Sequence, residues 1–237
     1  MSVSASSETA SPGTASPGGL AVGNDRFPIV VLISGNGSNL QSIIDSCSNS
    51  SPVIDIRAVL SNNPAAYGLE RASKAGIATA VVNHRDYPDR ESFEAALIAQ
   101  IDRHQPALVV LAGFMRILTA DFVNHYLGRL INIHPSLLPL YPGLNTHQRA
   151  IENGDNEAGA TVHFVTPEVD GGPIIIQAHV PVQPGDSSAD LASRVLIQEH
   201  IIYPKAIQWF AQGRLQIRNN LVLLDGEKSP EQQVHSE

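Results

Sequence analysis

From residue 27 onward, short apolar runs alternate with segments of helical periodicity, the arrangement expected of a parallel sheet with crossover helices. FPIVVLIS is the first buried strand. A helix from about Ser38, a strand VIDIRAVLS, a helix around AAYGLERASKAG stopped by Gly76, and a short strand TAVVN follow. A long helix DRESFEAALIAQIDRH then precedes ALVVLAG, which is apolar enough to be buried on both faces. The pattern continues with a helix near TADFVNHY, the strand RLINIH, and the loop PSLLPLYPGLN, whose prolines interrupt either periodicity. Beyond the short helix THQRAIENG, the runs GATVHFVTP and PIIIQAHVPV predict two strands joined by a sharp turn at EVDGG. A helix beginning near Ser187 or Ser188 and a terminal hairpin near QIRNNLVLL complete the pattern.

These elements predict one α/β domain over residues 27–226, with a mostly parallel Rossmann-like sheet flanked by helices and a β-rich C-terminal half. In open sheets of this kind ligands bind beyond the carboxyl ends of the strands. Gly35–Asn39, Gly113–Leu118 and Asn132–His134 all fall there.

Composition narrows the function classes. Residues 1–26 are rich in Ser, Ala, Gly, Pro and Thr and lack a continuous apolar core, so they read as a flexible tail rather than a secretory or transit signal. Residues 227–237 read as a second polar tail. Across 237 residues the net charge is -8, which argues against nucleic acid as the main partner, since phosphate backbones are bound by dense Lys/Arg surfaces. No apolar run reaches membrane-spanning length. Cys47 is the only cysteine, so an intramolecular disulfide or a cysteine zinc site is excluded, which fits a reducing, cytoplasmic setting.

The turn ISGNGSNLQ carries the first candidate chemistry. A dinucleotide fingerprint G-x-G-x-x-G would place a third glycine at Leu40, and the strand IRAVLSNN ends in amides rather than in an acidic ribose ligand, so a nicotinamide cofactor is disfavoured. Gly35 and Gly37 still allow a tight turn and close backbone approach, and the helix N-terminus behind them suits one phosphate monoester. An ordinary strand-to-helix turn with Ser38 as N-cap accounts for the same residues.

INIHPSLLP places Asn132 and His134 two apart at a strand end, so both side chains leave one face. Asn donates to an oxygen gaining negative charge, and His exchanges a proton near neutral pH. A histidine held structurally at a strand terminus is the competing reading. Asp170, before two glycines in EVDGGPI, is either a turn residue or, if near His134, a carboxylate that favours the imidazolium. In LAGFMRIL, Arg116 interrupts an apolar run; a flat ligand along the loop explains it, as does a buried loop with a snorkelling arginine. The histidines show no H-E-x-x-H zinc arrangement, and SGNGSNL is not a nucleophile elbow.

Taken together, VVLISGNGSNLQSIID, LAGFMRIL, INIHPSLLPLYPG and GATVHFVTPEVDGGPIIIQ resemble the folate-dependent phosphoribosylglycinamide formyltransferases, over about residues 28–224. The resemblance implies the formyltransferase fold and transfer of a formyl group from 10-formyltetrahydrofolate, a co-substrate, to the glycinamide amine, without a metal. It also implies small-molecule partners only and a monomer or homodimer. Carried over by position, Gly37, Ser38 and Asn39 hold the substrate phosphate, and Glu199 contacts the glycinamide substrate. Arg90, Met115, Arg116, Ile117 and Leu118 hold the folate. Asn132 serves both the folate and the transferring carbonyl, His134 donates the proton, and Asp170 raises the pKa of His134. Asn145 departs from the pattern, since many relatives carry histidine there.

Two other formyl-folate enzymes resemble this core. Methionyl-tRNA formyltransferase brings a basic C-terminal module, whereas this chain ends in the acidic, polar GEKSPEQQVHSE. Formyltetrahydrofolate deformylase brings an N-terminal regulatory domain, for which the tail here is too short and too polar. A non-catalytic phosphoribosyl- or folate-binding module is a third possibility, opposed by the joint presence of Asn132, His134 and Asp170.

Overall fold

The computed structural model describes residues 26–47, 50, 52–227 and 233–235. Along the chain it runs β1 (Arg26–Ile33), α1 (Ser38–Cys47), β2 (Val53–Ser61), α2 (Tyr67–Lys74), β3 (Thr79–Val81), α3 (Arg90–Asp102) and β4 (Leu108–Leu111). Then come α4 (Ala120–His125), β5 (Leu130–His134), α5 (Thr146–Glu152), β6 (Glu157–Phe164), β7 (Ile174–Pro181) and α6 (Ser188–Ala211), with β8 (Leu215–Arg218), β9 (Leu221–Leu224) and β10 (Gln233–His235) last.

One sheet of eight strands has the order β10-β7-β6-β5-β4-β1-β2-β3, and β8 and β9 form a separate antiparallel pair. The strands from β3 to β5 pair in parallel, whereas β5–β6 and β6–β7 are antiparallel. The change of direction falls between β5 and β6, across the Pro-rich loop and α5, and the sharp EVDGG turn then joins β6 to β7, so the β-rich second half extends the same sheet. Because β1 carries apolar residues at consecutive positions, it feeds two cores. Ile29, Val31 and Ile33 pack with α1, α2 and α6, while Val30 and Leu32 pack with α3 and α4. Burying a side chain such as Leu97 or Ile43 in these layers contributes about 1.5–3 kcal/mol each.

The helix starts follow their caps. Asp89, Thr119 and Ser187 each accept a backbone N–H from the first turn of α3, α4 and α6, and Ser187 with Asp190 forms a full capping box. The strand β1 begins one residue before the expected domain start, since Arg26 is already paired with Val53. At the other end, Gln233–His235 pair in parallel with β7 inside the segment expected to be a polar tail. Residues 1–25, expected to be a flexible tail, and most of the segment after Glu227 lie outside the described residues. Among the described residues no helix is long and apolar enough to cross a membrane.

Chain order locates the crevice. The path moves outward from β1 to β2 and β3, then returns to β4 on the other side of β1. That reversal opens a gap beyond the carboxyl ends of β1 and β4, the place where such sheets bind ligands.

Candidate active site

The turn after β1 is tied across this gap: the Ser34 N–H donates to the Gly113 carbonyl at 3.1 Å. The first intrahelical bond of α1 runs from the Gln41 N–H to the Gly37 carbonyl at 3.0 Å. Gly37 therefore stands before the helix and Ser38 is its first residue, so Ser38 is not the N-cap. The N–H groups of Ser38, Asn39 and Leu40 precede that bond and have no intrahelical acceptor. They open beside a crevice of about 640 Å³ lined in part by Ser34, Gly35, Gly37, Ser38, Asn62 and Met115.

The two glycines of the turn have different reasons to be glycine. Gly37 has φ +73°, and a Cβ on it would lie 2.7 Å from the Gly68 Cα on α2, so backbone geometry alone requires it. A Cβ on Gly35 would meet nothing within 4 Å, yet Gly35 lines the crevice. Gly37→Ala should consequently destabilise the fold by about 1–3 kcal/mol, from a left-handed non-glycine residue, read as a lower midpoint in urea. Gly35→Val should keep the wild-type midpoint and impair only binding of a phosphorylated ligand. A Gly35→Val protein that binds as wild type would remove the turn from the ligand site.

Arg71 of α2 fixes the turn from outside: its Nε donates to the Asn36 carbonyl at 2.9 Å and a terminal nitrogen donates to Asn36 Oδ1 at 3.0 Å. This brings a guanidinium to the electropositive end of α1. The Asn39 side chain is already engaged, since its Nδ2 donates to Glu199 Oε2 at 2.6 Å with both residues buried. An anion at this turn would thus meet the Asn39 backbone N–H rather than its amide. Burial pushes the Glu199 carboxyl above the usual range, and the bond from Asn39 acts in the opposite direction. Burial, the larger of the two effects, disfavours a negative charge on Glu199 next to the anion position.

Two strands away, the register sets the second cluster. Asn132 pairs with His163 and His134 with Thr161 across β5 and β6, so these four side chains share one face. His134 is buried, and its Nε2–H donates to the Tyr141 carbonyl at 2.9 Å, which leaves Nδ1 facing Asp170 Oδ2 at 3.5 Å. Asp170 holds φ +53° in the turn after β6, and its Oδ2 also accepts the Gly143 N–H at 2.8 Å. The aspartate is therefore both a turn residue and the partner of the imidazole, and it anchors the Pro-rich loop to both.

His163 was not singled out from the sequence. Its Nδ1–H donates to the Phe164 carbonyl at 2.9 Å, so the neutral ring presents the Nε2 lone pair to Asn132 Nδ2 at 3.3 Å. Burial holds His163 below the ordinary histidine range, with the neighbouring His134 adding to the shift and Phe164 and Asp170 opposing it. A neutral His163 fixes which end of the Asn132 amide carries the donors. Its only sequence signal was a place in the alternating strand GATVHF, opposite INIH. Thr161 is the companion omission: its hydroxyl donates to the Ser136 carbonyl at 2.7 Å and accepts the Leu138 N–H at 3.0 Å.

The loop after β4 is exposed. Met115 and Ile117 are 67% and 63% accessible while Phe114 is buried, so the apolar run is not a buried loop. Only Met115 of the four predicted loop residues lines the crevice, and Arg116, Ile117 and Leu118 do not. Arg90, at the start of α3, is exposed and outside that crevice. Asn145 precedes α5 at φ +58°, a left-handed position that asparagine tolerates well. Among the described residues no group of three or more His, Cys, Asp or Glu side chains is placed to hold a metal ion.

Known proteins resemble this chain along most of its length. The family model described as formyl transferase matches residues 27–207. The chain is 58% identical over 204 residues to phosphoribosylglycinamide formyltransferase of Escherichia coli (strain K12), covering 86% of this chain and 96% of that one. The Haemophilus influenzae enzyme of the same name is 49% identical over 202 residues, 85% of this chain and 95% of its own. The solved structure of the Coxiella burnetii phosphoribosylglycinamide formyltransferase in complex with CHES superposes with a TM-score of 0.83 at 51% identity, covering 89% of this chain and 99% of that one.

Proposed function

This chain belongs to the formyl transferase family, and from that premise we propose that it transfers a formyl group from 10-formyltetrahydrofolate to the amine of phosphoribosylglycinamide. The products are phosphoribosyl-N-formylglycinamide and tetrahydrofolate, a step in making the purine ring. The observation that carries the reading is the spacing of the two clusters. Leu32 pairs with Leu111, and Leu111 with Asn132, so Asn132 lies two strand spacings, about 10 Å, from Leu32, and β1 runs on from Leu32 into the phosphate turn. A ribose and a glycyl unit separate the phosphate of this substrate from its amine.

Each residue then has a definite task. The N–H groups of Ser38 and Asn39 at the start of α1 bind the phosphate, beside Gly37 and with Arg71 holding the turn. Glu199 accepts from the glycinamide portion. As the amine attacks, a C–N bond forms and the carbonyl electron pair moves to oxygen. Asn132 donates to that oxyanion through an amide oriented by His163, and His134 stands on the same strand face, opposite Asp170. The amine then loses its proton, the bond to the folate nitrogen breaks, and a proton from the His134–Asp170 side reaches that nitrogen. Met115–Leu118 offer an apolar surface to the folate ring, and Arg90 a cation to its anionic tail. No covalent enzyme intermediate is required.

The test is a two-substrate absorbance assay for tetrahydrofolate. Product should form only when both reactants are present. Steady formation with 10-formyltetrahydrofolate alone would make the protein a hydrolase and overturn the reading.

A further inference from the structure

Glu94 of α3 is 3% exposed, a carboxylate set in the layer formed by Phe93, Leu97, Phe114 and Phe122. Among the described residues its hydrogen bonds go to Thr119: the Thr119 N–H donates to both oxygens, at 3.0 and 3.2 Å, and the Thr119 hydroxyl donates to Oε2. Thr119 already caps α4 by accepting the Phe122 N–H at 3.3 Å, so the cap itself has no need of a buried acid. Placing a carboxylate in an apolar layer is unfavourable before its hydrogen bonds are counted. What the bonds achieve is a rigid tie between α3 and the end of the exposed loop after β4.

That loop is fixed at two points. Near its start the Met115 N–H donates to Ser34 Oγ at 2.8 Å, and Ser34 Oγ in turn donates to Asn62 Oδ1 at 2.6 Å. At its end is the Glu94–Thr119 tie. Between them lie the outward-facing Met115 and Ile117. Arg90 sits four residues before Glu94, hence on the same face of α3, and is exposed. One carboxylate thus sets the distance between an exposed apolar strip and an exposed cation. Such a pair suits a ligand with a flat apolar body and an anionic tail.

We infer that Glu94 is a positioning residue for co-substrate binding, holding the apolar loop Met115–Leu118 at a set distance from Arg90. This rests on the folate reading given above. Glu94→Leu removes the tie at similar volume, whereas Glu94→Gln keeps an acceptor for the Thr119 N–H and a donor for its hydroxyl. Glu94→Leu should raise the KM for 10-formyltetrahydrofolate by about three- to tenfold. Its kcat and its KM for phosphoribosylglycinamide should stay within about twofold, and Glu94→Gln should restore the wild-type value.

Amide hydrogen exchange in residues 113–118 supplies a readout free of catalysis, and it should quicken in Glu94→Leu and not in Glu94→Gln. If Glu94→Leu does not fold, Thr119→Val, which removes the hydroxyl bond to Glu94 together with the cap on Phe122 but keeps the Thr119 N–H on the carboxylate, should give an intermediate rise in the same KM. Unchanged exchange in a folded Glu94→Leu protein, or equal changes in both KM values, would overturn the inference. Wild-type protein inactive with both substrates, but with exchange responding as expected, would overturn the folate reading and leave the tie in place.

Discussion

His134→Ala should lower kcat by about 10²–10⁴-fold, the usual contribution of a positioned proton donor, with some loss of thermal stability because the buried ring's bond to the Tyr141 carbonyl is lost as well. Asp170→Asn should also be severe. Asparagine is the informative replacement because its side-chain oxygen still accepts the Gly143 N–H that Asp170 Oδ2 accepts at 2.8 Å, so the Pro-rich loop keeps its anchor while the carboxylate charge opposite His134 is lost. Since imidazole and carboxylate act as one unit, the double variant should be little slower than the slower single variant. Fully additive losses, measured as kcat of all four proteins, would show two independent roles and reduce Asp170 to a residue of the turn.

The second large effect belongs to Asn132. Asn132→Ala should reduce kcat by about 10²–10³-fold, as expected for one lost oxyanion donor, with little change in either KM. His163→Phe should produce a smaller loss of the same kind, because the ring is replaced at similar size but no lone pair orients the Asn132 amide at 3.3 Å. The sign of the pH effect follows from burial. His163 is held below the ordinary histidine range, so its neutral, accepting form persists through neutral pH and is lost only in acid. Steady-state rates from neutral pH downward would check this. A His163→Phe enzyme with wild-type kcat would show that Asn132 is oriented by other contacts.

Local pattern made much of the fold legible. The consecutive apolar residues of β1 and β4, the capping serine before α6 and the glycine after α2 each announce their element within a few residues. Asn132 and His134 were readable for the same reason, since two positions on one strand must share a face. The short β10 was not readable: three polar-flanked residues pair with β7 through backbone groups, which composition does not encode.

Residues that act across elements were equally silent. His163 matters because antiparallel register places it opposite Asn132, Arg71 because α2 packs on the turn, and Glu94 because α3 lies beside the end of the β4 loop. The glycine turn was half legible. Sequence grouped Gly35 and Gly37 together, and only the neighbouring Gly68 backbone separates a glycine required by packing from one that leaves the crevice open.

In the proposed reaction this site moves a formyl group directly between two bound small molecules. The most direct measurement is a single-turnover reaction with co-substrate carrying ¹³C in the formyl group, enzyme in excess over phosphoribosylglycinamide, followed by NMR of the quenched mixture. The label should appear in an amide carbonyl on the glycinamide nitrogen, with no free formate formed at a comparable rate. Label released as formate, with the glycinamide amine unmodified, would contradict it.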